Sequence, residues 1–142
     1  MRNIFRGIRD GVSNLVKWFP IIWNDRDFDQ AYLYKILHKK LENMEEFFNS
    51  KYTFSVEASQ VAKEIQEIRE MLGRVITDEH HQKVEISTDA FMNVENGKFN
   101  VDREHPMYIE WMAATEEAER KTKEDLRDSF RIIGEKSQGW WD

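Results

Sequence analysis

The sequence predicts a mainly α protein: a helical bundle of three long helices, with an N-terminal amphipathic helix and a small β-hairpin. Apolar residues recur at spacings of three and four along three long stretches, the period of a helix with one buried face. That period is lost only between residues 78 and 103, where Asn96-Gly97 signals a tight hairpin turn. At 142 residues the chain has the size of one domain, so residues 1–142 are expected to form a single unit.

Residues 1–19 predict an amphipathic helix, which Pro20 is expected to end because proline has no amide hydrogen. One face of this helix is apolar: Ile4, Phe5, Ile8, Val12, Leu15, Val16 and Phe19. The segment is also basic, with Asp10 its only acid. Such a helix can lie on a membrane surface, or it can dock on the acidic body of its own fold or of a neighbouring subunit. We expect docking, because most amphipathic helices of globular proteins are half-buried.

Two helices follow, predicted over residues 27–50 and 55–77. Asp27 is the expected N-cap of the first, with Gln30 completing a capping box, and Thr53 or Ser55 is the expected cap of the second. The predicted apolar face of the first helix is Phe28, Tyr32, Leu33, Ile36, Leu37, Leu41, Met44, Phe47 and Phe48. That of the second is Ala58, Val61, Ala62, Ile65, Ile68, Leu72, Val75 and Ile76.

A hairpin insertion is predicted over residues 84–101. Asn and Gly suit the two positive-φ positions of a type I′ turn, which pairs Glu95 with Lys98, Val94 with Phe99 and Met92 with Val101. A lone hairpin is only marginally stable, so it is expected to pack on the helices or on another chain.

The last long helix is predicted over residues 106–134. Pro106 suits the first position of a helix, and Gly134 suits its C-terminal stop. Its apolar face, which has a middle seam of small residues, is Tyr108, Trp111, Met112, Thr115, Ala118, Thr122, Leu126, Phe130 and Ile133.

Three stretches of the chain, taken in order, form a recognisable pattern. The first is WFPIIWNDRDFDQAYLYKILHKKLENMEEFF at residues 18–48, with its WNDRDFDQAYL element. The second is the acidic and histidine-rich corner at residues 78–81, and the third is FRIIGEKSQGWWD at residues 130–142. Together they resemble a family of small, uncharacterised proteins of tailed bacteriophages and prophages. The resemblance implies a phage gene expressed in the cytoplasm of a host bacterium, and it carries no established activity. No signal peptide is expected, because Arg6, Arg9 and Asp10 interrupt the apolar start.

Aromatic residues near basic ones are the candidate ligand-binding residues, because rings can stack on a base while cations neutralise phosphates. They are Trp23, Arg26, Tyr32, Lys35, His38, Lys39, Trp140 and Trp141. Two consecutive tryptophans cannot both face one core, so at least one is expected to contact a ligand or another chain. The net charge of −6 argues against duplex nucleic acid, whereas a small nucleotide needs only a pocket.

Two metal sites are less favoured candidates. Glu79, His80 and His81 offer ligand atoms, but adjacent histidines point in different directions. Carboxylates on two successive helices could hold Mg²⁺ as in all-α nucleotide pyrophosphohydrolases, although the same spacing is usual on exposed helices. They are Glu42, Glu45, Glu46, Glu64, Glu67 and Glu70.

The sequence therefore favours a non-enzymatic binding protein that forms a homo-oligomer and has no cofactor. It has no cysteine, no phosphate-binding glycine loop and no serine-nucleophile motif. With the phage resemblance, the leading hypothesis is counter-defence, either by sequestering a nucleotide immune signal or by blocking a host protein. The alternatives are a Mg²⁺-dependent nucleotide hydrolase and a structural component of the virion or its assembly.

Overall fold

The computed structural model describes residues 2–25, 28–53 and 56–141 and confirms the mainly α bundle with a hairpin. Five α-helices and two strands lie within those ranges. They are α1 (Arg2–Ile22), α2 (Gln30–Phe48), α3 (Ala58–Ile76), α4 (Glu79–Gln82), β1 (Met92–Glu95), β2 (Lys98–Val101) and α5 (Pro106–Lys136). A 3₁₀ turn, Gly139–Trp141, follows α5. In the described ranges no helix is both long enough and apolar enough to cross a membrane.

Helix α3 is the centre of the fold, because it packs against both α2 and α5. Ile65, Ile68 and Leu72 are completely buried, and six of the eight residues predicted for the face of α3 belong to the core. Helix α2 and the C-terminal region cover this face with Leu41, Phe48, Ile132 and Trp140. Burial of this stripe removes its apolar side chains from water, which is the main force holding the helices together.

The faces of α2 and α5 are less buried than their periodicity predicts. Phe28 is 87% exposed and Leu33 is 59% exposed, because α2 packs mainly against α3 and turns the start of its apolar face outward. On α5, Phe130 is largely exposed and lies edge-on to Tyr34, while Ile132 occupies the core position instead.

Two predicted helix starts differ from the structure. Helix α2 begins after Asp29, whose carboxylate accepts a hydrogen bond from the Ala31 amide at 2.9 Å. The predicted cap Asp27 lies outside the described residues. Helix α3 begins at Ala58 with Glu57 at its N-cap position and no side-chain cap, so Thr53 is not its cap; Ser55 lies outside the described residues.

Two predicted helix ends are wrong. Helix α1 continues through Pro20 to Ile22, since proline removes one backbone hydrogen bond while the Trp23 amide still donates to the Phe19 carbonyl at 3.0 Å. Helix α5 continues through Gly134 to Lys136, and the Ser137 amide donates to the Ile133 carbonyl at 3.0 Å. Glycine lowers helix propensity but does not forbid the helical conformation.

The hairpin has the predicted register. Glu95 pairs with Lys98, and the turn residues Asn96 and Gly97 have φ of 50° and 72°, as a type I′ turn requires. Residues 84–91 of the predicted insertion are not strand, because β2 ends at Val101 and offers them no further partner. The hairpin is fixed only at its base, where the buried Phe91 ring packs on Tyr108 and Trp111.

Helix α1 does not dock on the body of its own chain. Its largest contact with another described element is a small one with α2, and its apolar face is open from Phe5 to Ile22. The exposed members of this face are Phe5, Ile8, Val12, Leu15, Val16, Phe19 and Ile22. The expectation of docking on the same body is therefore wrong.

The buried stripe of α3 gives a first prediction. We expect Leu72→Ala to lower the free energy of unfolding by about 2–5 kcal/mol, because it leaves a cavity where no solvent reaches. The matched change Leu33→Ala, at an exposed position of α2, should alter the free energy of unfolding by less than about 1 kcal/mol. Urea denaturation followed by circular dichroism measures both. Equal losses in the two variants would contradict the central role of α3.

Candidate functional site

Trp23 follows the end of α1, whereas Tyr32 and Lys35 lie near the start of α2. Trp23 is 70% exposed and packs on Phe19, with ring centroids 4.8 Å apart. On α2, the Lys35 ammonium lies over the Tyr32 ring, 4.5 Å from its centroid, in a cation–π contact. Arg26 lies outside the described residues. The Lys35 ammonium and the Tyr32 ring are therefore already in contact with each other, because the two residues are one turn apart on α2.

An open cleft of about 450 Å³ lies at the start of α2. It is lined by Asp25, Phe28, Asp29, Gln30, Tyr32, Leu33 and Ile36. Most of the described lining is apolar, its charged groups are two carboxylates, and Lys35 and Lys39 are not part of it. The part of the cleft that the structure describes is thus apolar and acidic.

His38 and Lys39 lie further along α2, among charged residues of α2 and α3. Lys39 forms an ion pair with Glu42, and Arg69 of α3 binds Glu45 at 2.7 Å. Burial lowers the pKa of His38, and the positive charge of Arg69 lowers it further, so the imidazole is neutral at pH 7. Lys39 and Arg69 are thus already paired with carboxylates of the same chain.

Trp140 and Trp141 lie at the opposite end of α2. Trp140 is 4% exposed, and its indole Nε1 donates to Glu64 at 3.3 Å. Lys136 also binds Glu64, at 2.7 Å, and this hydrogen bond is the main cause of the lowered pKa of that carboxyl group. Trp141 is exposed and packs on Phe48, with centroids 5.3 Å apart. One tryptophan therefore faces the core and the other faces outward, as two adjacent residues must.

The structure does not bring the seven described candidate residues together in one pocket. Lys35 and Phe47, which contacts Trp141, are twelve residues apart on α2, about 18 Å along the helix axis. The Tyr32–Lys35 contact and the tryptophan pair are therefore separate features. A pocket that stacks a base and neutralises its phosphates would need the aromatic and the basic candidate side chains together at one place.

Glu79, His80 and His81 point to three different partners. Glu79 binds Lys83 at 2.6 Å, His80 binds Asp125 at 2.8 Å, and His81 binds Asp78 at 2.7 Å. Across residues 2–25, 28–53 and 56–141, no three carboxylate or histidine side chains converge as a metal site needs. The glutamates of the hydrolase alternative are among these side chains. Two of them are paired with cations, Glu45 with Arg69 and Glu64 with Lys136.

Asp125 joins α5 to α3 and α4, a connection that the sequence did not reveal. It accepts two hydrogen bonds from Arg74, at 2.7 and 2.8 Å, and is bound by His80. Burial raises the pKa of Asp125, but the hydrogen bonds from Arg74 and His80 outweigh it and bring the pKa below its ordinary value. Helical spacing cannot find such a cluster, because Arg74 and Asp125 are 51 residues apart.

Comparison of the chain with protein-family models, with curated proteins and with solved structures finds no match. The geometry of the chain's own residues is thus the basis for a functional assignment.

The Asp125 cluster gives a second prediction. We expect Asp125→Asn to lower the free energy of unfolding at pH 7 by about 1–3 kcal/mol, since it weakens partly buried hydrogen bonds to a charged group. The carboxyl pKa is lowered in the folded state, so this stabilisation is complete above the unfolded pKa and disappears as pH falls through the folded value. The difference between wild type and Asp125→Asn should therefore shrink in strong acid.

Urea denaturation at pH 7 and in strong acid measures this difference. Asp128→Asn on the same helix is the control, because Asp128 is more exposed and its nearest arginine nitrogens are 3.5–3.6 Å away. A loss at pH 7 no larger than that of Asp128→Asn would disprove the stabilising role of the cluster.

Proposed function

We propose that the protein is a non-enzymatic binding protein that blocks another protein by binding it in the cleft at the start of α2. The observation that carries this proposal is the composition of the cleft: exposed apolar side chains, Phe28 and Leu33 foremost, beside the carboxylates of Asp25 and Asp29. Exposed apolar surface with a polar rim is typical of protein-binding sites.

The charge of the cleft favours a protein over a nucleotide. Phosphate groups would meet the negative charge of Asp25 and Asp29, and no lysine or arginine among the described residues lines the cleft. A segment of a partner with an apolar anchor and flanking basic residues would be attracted to the same surface. Of the two forms of the counter-defence hypothesis, blocking a host protein is therefore better supported than sequestering a nucleotide.

The described lining of the cleft contains no histidine, which supports a role without catalysis at this surface. The histidines His38, His80 and His81 are either neutral and half-buried or engaged with carboxylates of the same chain. A general base needs reach to a substrate proton, and a metal site needs converging ligands. The described residues assemble neither arrangement within the cleft.

The phage resemblance bears on the same surface. Its WNDRDFDQAYL element covers residues 23–33, which include Asp25, Phe28, Asp29 and Leu33 of the cleft. We propose on this basis that the protein is phage-encoded and that its partner is a protein of the bacterial host, bound in the infected cell.

A pull-down from host bacteria, followed by affinity measurement with the purified partner, tests the proposal. We expect Leu33→Glu to raise the Kd by at least tenfold, because it removes an apolar anchor of about 1.5–3 kcal/mol and adds a charge. Val94→Glu on the hairpin is the matched control, since Val94 is similarly exposed and lies on another element. It should leave the Kd unchanged.

Two results would overturn the proposal. One is an equal Kd for wild type and Leu33→Glu. The other is a nucleotide mass retained by the native protein in mass spectrometry, which would return the function to nucleotide sequestration.

A further inference from the structure

Helix α1 has a continuous apolar face that no other part of the described chain covers. Phe5, Val12 and Phe19 alternate with Ile8, Leu15 and Ile22 at spacings of three and four, which places all six on one side of the helix. Each of the six is exposed. The helix has 21 residues and is therefore about 31 Å long. An apolar strip of this length needs a partner, because its exposure to water is costly.

The charge of α1 is opposite to that of the rest of the chain. Segment 2–22 holds four of the 21 basic residues and one of the 27 acidic residues, a net charge of +3. With a total of −6, the remainder of the chain carries −9. Arg6, Arg9 and Lys17 are all exposed, and only Arg9 has an acidic partner on α1, Asp10 at 3.0 Å. The helix thus combines an open apolar face with a cationic polar face.

We propose that α1 lies on an anionic lipid bilayer, with its apolar face in the interfacial region and its arginines and lysine at the lipid headgroups. Basic residues opposite an apolar face are the composition of helices that lie in the plane of a membrane surface. Trp18 and Trp23, near the C-terminal end of α1, have the amphipathic ring that favours the headgroup level. Charged residues through the helix place it on the bilayer rather than across it.

A lipid surface fits α1 better than a second copy of the chain does. Two copies of α1 face to face would bring two charges of +3 together. On the body, the exposed large apolar residues are dispersed over separate elements, as with Leu33 on α2, Val94 on β1 and Ile109 on α5. A bilayer surface, by contrast, is continuous over the whole length of the helix and is complementary in charge.

The acidic body does not prevent this binding. The main contact of α1 with the described body is a small one with α2, and the apolar face of α1 is exposed from Phe5 to Ile22. Repulsion between the body and anionic lipids falls off over about 8 Å at physiological ionic strength, whereas the basic residues of α1 are at the surface itself.

Vesicle flotation of the full chain tests the proposal. We expect wild type to bind vesicles of equal parts phosphatidylglycerol and phosphatidylcholine, and to bind pure phosphatidylcholine at least tenfold more weakly. Leu15→Glu should lower binding to the anionic vesicles by tenfold or more. Leu33→Glu is the matched control, because both leucines are about 60% exposed and only Leu15 lies on α1.

The two leucine variants separate this proposal from the proposed function. Leu33→Glu should lose binding to the host partner and retain binding to the vesicles. Leu15→Glu should lose binding to the vesicles and retain binding to the host partner. Arg6→Glu should lower anionic-vesicle binding by roughly fivefold or more, since each basic residue near the surface contributes to attraction. Lys98→Glu on the hairpin should have no effect. Unchanged urea midpoints in the variants would show that each is folded.

Three outcomes would overturn the lipid proposal. The first is wild-type protein that stays with the unbound fraction at every lipid concentration. The second is flotation of Leu15→Glu equal to that of wild type. The third is a wild-type dimer in light scattering that Leu15→Glu disrupts without any vesicle binding, which would assign the apolar face of α1 to a second copy.

Discussion

The fold depends on the burial of one face of α3 between its neighbours. Ile65, Ile68 and Leu72 have no contact with solvent, and every other long helix of the body is placed by its packing on them. A chain of this size has room for one such core. Because α3 already occupies the position between α2 and α5, the apolar residues that do not reach it, Phe28 and Leu33 among them, remain at the surface.

Helix α3 is also the centre of the charged contacts. It supplies Arg69 to Glu45 of α2, Arg74 to Asp125 of α5, and Glu64 to Lys136 and Trp140. Each contact is partly shielded from solvent, so it fixes the rotation and register of a helix more firmly than a fully exposed pair would. Apolar burial holds the helices together, and these pairs specify how they are aligned.

The sequence predicted local structure better than the arrangement of elements. Asn96-Gly97 determined both turn and register, because the two positive φ values are a property of those residues themselves. Helix ends were less predictable, because neither Pro20 nor Gly134 prevents the helix from continuing past it. Periodicity marks which face of a helix is apolar, but it cannot tell whether another element covers that face, as α1 demonstrates.

The candidate site was predicted only in part, for the same reason. Tyr32, one of the candidate residues, lines the cleft, but Trp140 and Trp141 are at the far end of α2. The two lysines predicted to bind phosphates already have partners in the same chain. Lys35 contacts the Tyr32 ring, and Lys39 forms an ion pair with Glu42. Contacts between residues many positions apart, such as Arg74 with Asp125, have no signature in a single sequence.

The place of Trp140 in the core has a consequence for biosynthesis. This ring belongs to the buried cluster built on α3, yet it follows its hydrogen-bond partner Glu64 by 76 residues. A ribosome must therefore synthesise the hairpin and all of α5 before the indole can close over α3. Until then, the part of the apolar core that Trp140 covers stays open to water, and such exposed surface makes incompletely folded chains prone to aggregate.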